Sequence, residues 1–308
     1  MKALILLSVI SLVRAINNKL LITANLKNST TFVLDLEHDR FCGALPNFPE
    51  NGVAGASGGL LKQKIPFVCI GDGGSYLNHT VNQCYLYQDR SWAKSVVLPE
   101  DVVFSTMTVL NDTTVWITGG FGNSSLSLLV NPFEKRVVSG PQLREGLIQH
   151  CTVNVDGNNI FFISGNQYKD NLLRKTQIYT FSTNKWQDGP DMLQTRLVPA
   201  CSYLTLSSGK KIILVADDET TEYLEFEAGD RWKFGPKIPY WITVPTMVGM
   251  ADGSAILFGH DADNRVLKFD CLNGDPNHCL FTELNVQLPF DSSGPAAMLV
   301  PDEIAPPC

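Results

Sequence analysis

One kind of segment recurs six times along the chain, and a repeat of that spacing leaves few folds open. A short apolar run ending in small or polar residues occupies 20–25, 67–72, 115–120, 161–166, 212–217 and 255–260. The runs end 47, 48, 46, 51 and 43 residues apart. A period in the forties, built from strand-like runs with almost no helical pattern, is what the blades of a propeller require.

Each repeat divides into four strands with period-two alternation. The six runs are the second strands. Third strands follow at 31–36, 84–89, 126–131, 176–181, 222–227 and 265–270, and fourth strands begin near Phe41, Trp92, Val137, Trp186, Trp232 and Leu280. First strands fall at 55–61, 105–110, 149–155, 200–206, 246–250 and 295–300, and they are rich in Gly, Ala, Ser, Thr and Cys. Small side chains suit strands that crowd around a central axis. Gly55-Ala56-Ser57-Gly58-Gly59 matches the pattern of a hydrolase nucleophile, but no helix follows it, so it reads as an inner strand. The chain opens on a second strand and closes on a first strand. Joining those two ends into one composite blade closes the ring and removes the open sheet edges. The expectation is an all-β, six-bladed propeller forming a single domain over 16–308.

The first fifteen residues read as an export signal. Lys2 supplies the positive charge, 3–13 is apolar but too short to span a bilayer, and Val13-Arg14-Ala15 offers a cleavage site before Ile16. No later apolar run is long enough to cross a membrane. Sequons at Asn28, Asn78, Asn111 and Asn123 fall in turns between strands and are expected to carry glycans. A net charge of −7 argues against nucleic acid as a partner.

Eight cysteines in an exported chain favour disulfides over metal. Cys69 and Cys84 lie on neighbouring antiparallel strands of one blade and are expected to pair. Cys271 and Cys279 flank a turn and are expected to pair as well. Cys42 sits on the composite blade and Cys308 ends the tail leaving it, so their bridge would staple the ring. Cys151 and Cys201 occupy similar places on adjacent inner strands. They are read as two small inert side chains, with a bridge between blades as the alternative. Neither His278-Cys279 nor His150-Cys151 has a second ligand pair at zinc spacing, so no metal and no cofactor is expected.

Tyr85 and Tyr179 are each followed seven residues later by a Trp, Gly119-Gly120 ends one second strand, and Arg144 and Arg196 follow fourth strands. Val130-Asn131-Pro132 stands where a Tyr-Asp-Pro turn would. Together these features resemble kelch repeats over the whole of 16–308, with degenerate motifs in several blades. The Tyr and Trp residues, Trp232 included, are expected in the core between blades.

The resemblance implies that partners bind at the face formed by the loops from second to third and from fourth to first strands. Candidates there are Tyr168, Lys169 and Arg174 in one loop, Asp217 and Asp218 in the next, and His260 and Asp261 in the one after. The other loop set adds Arg144, Arg196, Tyr240 and Trp241. Cations, carboxylates and exposed rings on one rim suit recognition of an extracellular protein or glycan. The leading expectation is therefore a non-catalytic binding module. A carbohydrate-active enzyme, resembling the kelch-like mutarotase, is the alternative, and it would need Arg144, Arg196 and His150 to converge at the axis. A structural matrix component is a third reading.

Overall fold

The computed structural model describes residues 18–24, 29–43, 45–50, 55–70, 82–163, 166–167, 171–172, 174–226, 231–261, 263–289 and 294–308. The expected signal at 1–15, the sequons at Asn28 and Asn78, and Tyr168 and Lys169 lie outside the described residues. The chain is all-β, with six four-stranded antiparallel sheets arranged as the blades of a propeller.

Blade 1 is composite. Its inner strand is Ala296–Val300 from the C-terminal end, followed outward by Lys19–Thr23, Phe32–Asp35 and Arg40–Phe41. The remaining inner strands are Ser57–Leu61, Thr106–Val109, Cys151–Asn154, Ala200–Thr205 and Thr243–Gly249, one each for blades 2 to 6. Each inner strand touches the next around the axis, and the strand of blade 6 touches Ala296–Val300, so the ring is closed. Second, third and fourth strands stand outward in sequence order in every blade.

Neighbouring blades share apolar cores of their own. Leu21, Val33 and Met298 of blade 1 meet Val68, Ile70 and Tyr85 of blade 2. Phe67 and Leu86 meet Val115 and Ile117 in the next interface. Between blades 3 and 4, Trp116 is fully buried against Phe162, Tyr179 and Phe181, with ring centroids 5.1–5.2 Å apart in edge-to-face geometry. Fully burying one such side chain contributes about 1.5–3 kcal/mol, so each interface is held by several comparable terms. Tyr85, Tyr179 and Trp232 are buried, whereas Trp92 and Trp186 are half-buried at the outer rim. The indole N–H groups point back toward the preceding blade: Trp186 donates to the carbonyl of Gln142 at 3.0 Å and Trp232 to that of Pro190 at 2.9 Å.

A second recurring device holds the fourth-to-first loops. Gly140-Pro141, Gly189-Pro190 and Gly235-Pro236 each follow a fourth strand. In each, the glycine N–H donates to the carbonyl of a third-strand residue, Ser127, Thr176 or Thr221, at 2.8–3.0 Å. The hydroxyl of that same residue donates to the proline carbonyl at 2.6–2.7 Å. A Cβ on any of the three glycines would collide with that hydroxyl.

The chain forms four disulfides: Cys42–Cys308, Cys69–Cys84, Cys271–Cys279 and Cys151–Cys201. The last corrects the reading of Cys151 and Cys201 as inert thiols. Adjacent inner strands run close enough at the axis for their side chains to be joined across blades. The structure also adds a feature the repeat does not foretell. Asn166–Gln167 and Asn171–Leu172 form a small hairpin that pairs with Leu147–Ile148, extending the second-to-third connection of blade 4.

Candidate functional site

The loops from second to third and from fourth to first strands share one face, and two concavities open on it. The larger, of about 540 Å³, lies among the loops of blades 4, 5 and 6. It brings together five of the residues singled out from the sequence: Arg174, Arg196, Asp217, Asp218 and Trp241. Leu193, Gln194 and Glu219 complete much of its wall.

These five do not play equal parts. Arg196, expected on the rim, is only 2 % exposed. One terminal nitrogen donates to Glu222 at 2.9 Å, and the other donates to the carbonyl and hydroxyl of Thr220, both at 3.1 Å. The Glu222 carboxylate also accepts the N–H groups of Leu193 and Gln194 at 2.6 and 3.0 Å. Arg196 is therefore the clasp that fixes this loop against the third strand of blade 5. The energetic reason is the cost of a buried charge, which only a close partner with further hydrogen bonds offsets. Gln177, at the same register position in blade 4, is uncharged and bonds Glu145 at 2.9 Å. Arg144 has no such partner inside the blade. It is exposed and pairs with Asp188 on the outer strand of blade 4 at 2.6 Å.

Asp217 is buried as well. Its carboxylate accepts the N–H groups of Leu197 and Val198 at 2.8 and 3.2 Å, holding the far end of the same loop. Burial raises its pKa, against the hydrogen bonds and the nearby charge of Arg196, which lower it. Asp218 is half-buried and bends left-handed at φ +56°. Burial and the adjacent Asp217 charge both push its pKa up. Asp217-Asp218 replaces the diglycine that blade 3 carries as Gly119-Gly120. There, positive φ and the lack of room beside Leu147 and Val103 carbonyls demand glycine. In blade 5 the loop is held by a carboxylate instead.

Trp241 is 56 % exposed at the edge of the concavity. Tyr240 beside it is half-buried, with the Arg265 guanidinium 3.4 Å from its ring centroid. Arg265 in turn pairs with Asp261 at 3.5 Å and Asp263 at 3.4 Å. Asp261 is buried and also accepts the N–H groups of Asp263 and Arg265. Tyr240 and Asp261 thus also shape the loops of blade 6. His260 remains exposed on the face.

Sequence reasoning missed the apolar part of the face. Phe121, Leu193 and Leu197 are exposed large hydrophobic side chains in these loops, alongside Trp241. Their signal was present as apolar residues within otherwise polar loops, just beyond the strands whose alternation they break.

The smaller concavity, about 130 Å³, is the mouth of the central axis on this face. Blades 1 to 5 each contribute the dipeptide immediately before the inner strand, among them Phe104-Ser105 and Gln149-His150, and blade 6 contributes Val244-Pro245-Thr246 from the start of its own inner strand. Phe104, Gln149 and Val244 have φ between +48 and +53°, unusual for residues with a side chain. This geometry hands hydrogen bonds from blade to blade: Phe104 N–H donates to Gly55 at 3.2 Å, and Gln149 N–H to Phe104 at 3.3 Å.

Of the sequons within the described residues, Asn111 is exposed in the turn between first and second strands of blade 3, on the opposite face. Asn123 is on the loop face, where its amide donates to Glu100 at 2.6 Å. No helix among the described residues is long and apolar enough to cross a membrane. No protein-family model and no curated protein matches the chain.

Proposed function

We propose that the protein is an exported, disulfide-stabilised binding module that takes a protein partner at the loop concavity of blades 4, 5 and 6. The observation that carries this reading is the exposed Trp241, set with Leu193 beside a concavity that also holds Arg174 and Asp218. An aromatic anchor next to aliphatic and charged groups is the composition of a binding hot spot, and it is costly to leave in water without a partner. The loops are held from beneath by buried Arg196, Glu222 and Asp217, so the surface is rigid before contact and little ordering entropy opposes binding. Four disulfides are compatible with an oxidising compartment. The kelch resemblance supports the choice of face. Two of the residues that a mutarotase-like site would use are engaged by partners of their own, Arg196 by Glu222 and Arg144 by Asp188.

The test is capture of partners by the secreted protein, comparing the native chain with Trp241→Ala. Trp241 makes no structural bond that its removal would break, so folding should persist. Loss of about 2 kcal/mol or more, roughly 30-fold in Kd, is expected for a central anchor. Unchanged affinity would remove this face from consideration, and capture of glycans in place of proteins would reverse the choice of partner.

A further inference from the structure

Blade 6 holds an arginine of its own between an aromatic ring and two carboxylates. The Arg265 guanidinium lies 3.4 Å from the centroid of the Tyr240 ring, and its nitrogens pair with Asp261 at 3.5 Å and Asp263 at 3.4 Å. A planar, weakly hydrated cation suits that position, because the ring face and the carboxylates both attract it. Trp241, the next residue along the chain, lines the larger loop concavity together with Asp218. The same two kinds of group, ring and carboxylate, thus recur beside blade 5.

Asp218 is the accessible carboxylate of that pair of aspartates. It stands at the tip of the tight turn between Lys211–Asp217 and Thr220–Glu225. Its main-chain carbonyl accepts the Ile242 N–H at 3.2 Å, which sets the tip beside the Trp241 segment. Asp217 is buried and gives its carboxylate to the loop N–H groups of Leu197 and Val198. Asp218 is half-buried, and its carboxylate makes no hydrogen bond or ion pair among the described residues. The neighbouring cations are spoken for or exposed: Arg196 is buried against Glu222, Lys237 pairs with Glu219 at 2.8 Å, and Arg174 lies exposed on the lining. Four carboxylates, Asp217, Asp218, Glu219 and Glu222, therefore face those three cations. The net charge of −7 on the whole chain draws a cationic surface in the same sense.

We propose that the loop concavity receives an arginine side chain of the protein partner, its guanidinium stacked on the Trp241 ring and paired with the Asp218 carboxylate. This rests on the reading of the concavity as the binding surface. A guanidinium offers a flat face to the ring and edge N–H groups to the carboxylate at once, which a compact ammonium cannot do. An acidic partner residue at Asp218 would meet like charge, and a purely apolar one would bury the carboxylate unpaired.

The test is a titration of the full, disulfide-bonded protein, ¹⁵N-labelled, with N-acetyl-arginine amide, followed through the Trp241 indole N–H and the Asp218 amide. Comparators are the corresponding lysine, citrulline and glutamate derivatives, citrulline having the shape of arginine without its charge. A saturable shift is expected with arginine, a weaker one with lysine, and none with citrulline or glutamate. Asp218→Asn should weaken arginine binding roughly tenfold. Asn tolerates the left-handed backbone of this turn as Asp does, and the dispersion of the remaining signals reports that the variant is folded. Glu134→Gln, at an exposed ion pair on the outer strand of blade 3, should leave binding unchanged. Absence of saturation with arginine, an equal response to citrulline, or full binding in Asp218→Asn overturns the proposal. Partner capture separates it from the reading beneath it. Capture weakened by both Trp241→Ala and Asp218→Asn supports the arginine. Capture weakened by Trp241→Ala alone keeps the surface and overturns the arginine, and capture weakened by neither overturns both.

Discussion

His150 has no charged neighbour to favour its protonated form, and burial alone pushes its pKa down from 6.5 to about 3. In the unfolded chain the same imidazole titrates near its ordinary value. Between those limits the unfolded state binds a proton that the folded state does not, so stability is full above about pH 6.5 and falls as the pH drops. The expected slope is about 1.4 kcal/mol per pH unit for this one group. Denaturant melts at pH 7 and pH 5 should differ accordingly, and His150→Gln should flatten the difference. Asp35 acts lower on the scale. Burial raises its pKa, but hydrogen bonds from Lys19, His38 and the Glu37 N–H outweigh that and hold it at about 2. Its contribution is present above the ordinary carboxylate value of 3.8 and is lost between there and about pH 2. Arg196 offers a test of another kind. Replacing it by Ala leaves Glu222 charged and buried, and such a break costs about 3–5 kcal/mol. An urea midpoint unchanged in Arg196→Ala would contradict its role as the loop clasp.

The strands were the most legible part of the sequence. Alternation placed the inner strand of blade 5 at 200–206, and the structure has it at Ala200–Thr205. That of blade 3 was read at 105–110 and lies at Thr106–Val109. Period-two burial is a local property, and a repeated pattern averages out errors at single positions. What lay beyond it depends on tertiary partners. Arg196 and Arg144 look alike in sequence as residues after a fourth strand, yet one is buried against Glu222 and the other is exposed and pairs with Asp188 on the outer strand of blade 4. The Gly-Pro clasp was visible as a recurrence at 140, 189 and 235, but a dipeptide that common carries no message until its Ser or Thr partner is seen. Gly119 gives the prediction at this scale. Its φ is +61° and a Cβ would overlap the Leu147 carbonyl, so Gly119→Ala should destabilise the blade by more than about 1 kcal/mol. Hydrogen exchange should show the loss first in Ser127–Asn131 and Leu147–Ile148.

For the molecule as a whole, the ring is closed twice at one place. Hydrogen bonds join Lys19–Thr23 to Ala296–Val300, and the Cys42–Cys308 bond joins residues 266 apart. Constraining a loop of that length removes unfolded-state entropy worth about 5 kcal/mol. Replacing both cysteines by Ser should lower the unfolding free energy by up to that amount, measured by denaturant melts under non-reducing conditions. Native strand pairing should persist, since the ladder itself does not need the bond. The two concavities on the loop face sit in different parts of this ring. One rests on side-chain clasps within blades 4 to 6, and the other on backbone geometry at the axis.

The composite blade also sets an order in time. Among the described strands, a ribosome makes Lys19–Thr23 before, and its inner neighbour Ala296–Val300 after, all the others. Until then the Lys19–Thr23 edge of the nascent chain is bare and can recruit another copy. Production of the protein should therefore depend on chaperone supply until that strand is made, and removing residues 296–308 should turn the closed ring into a sticky, open arc.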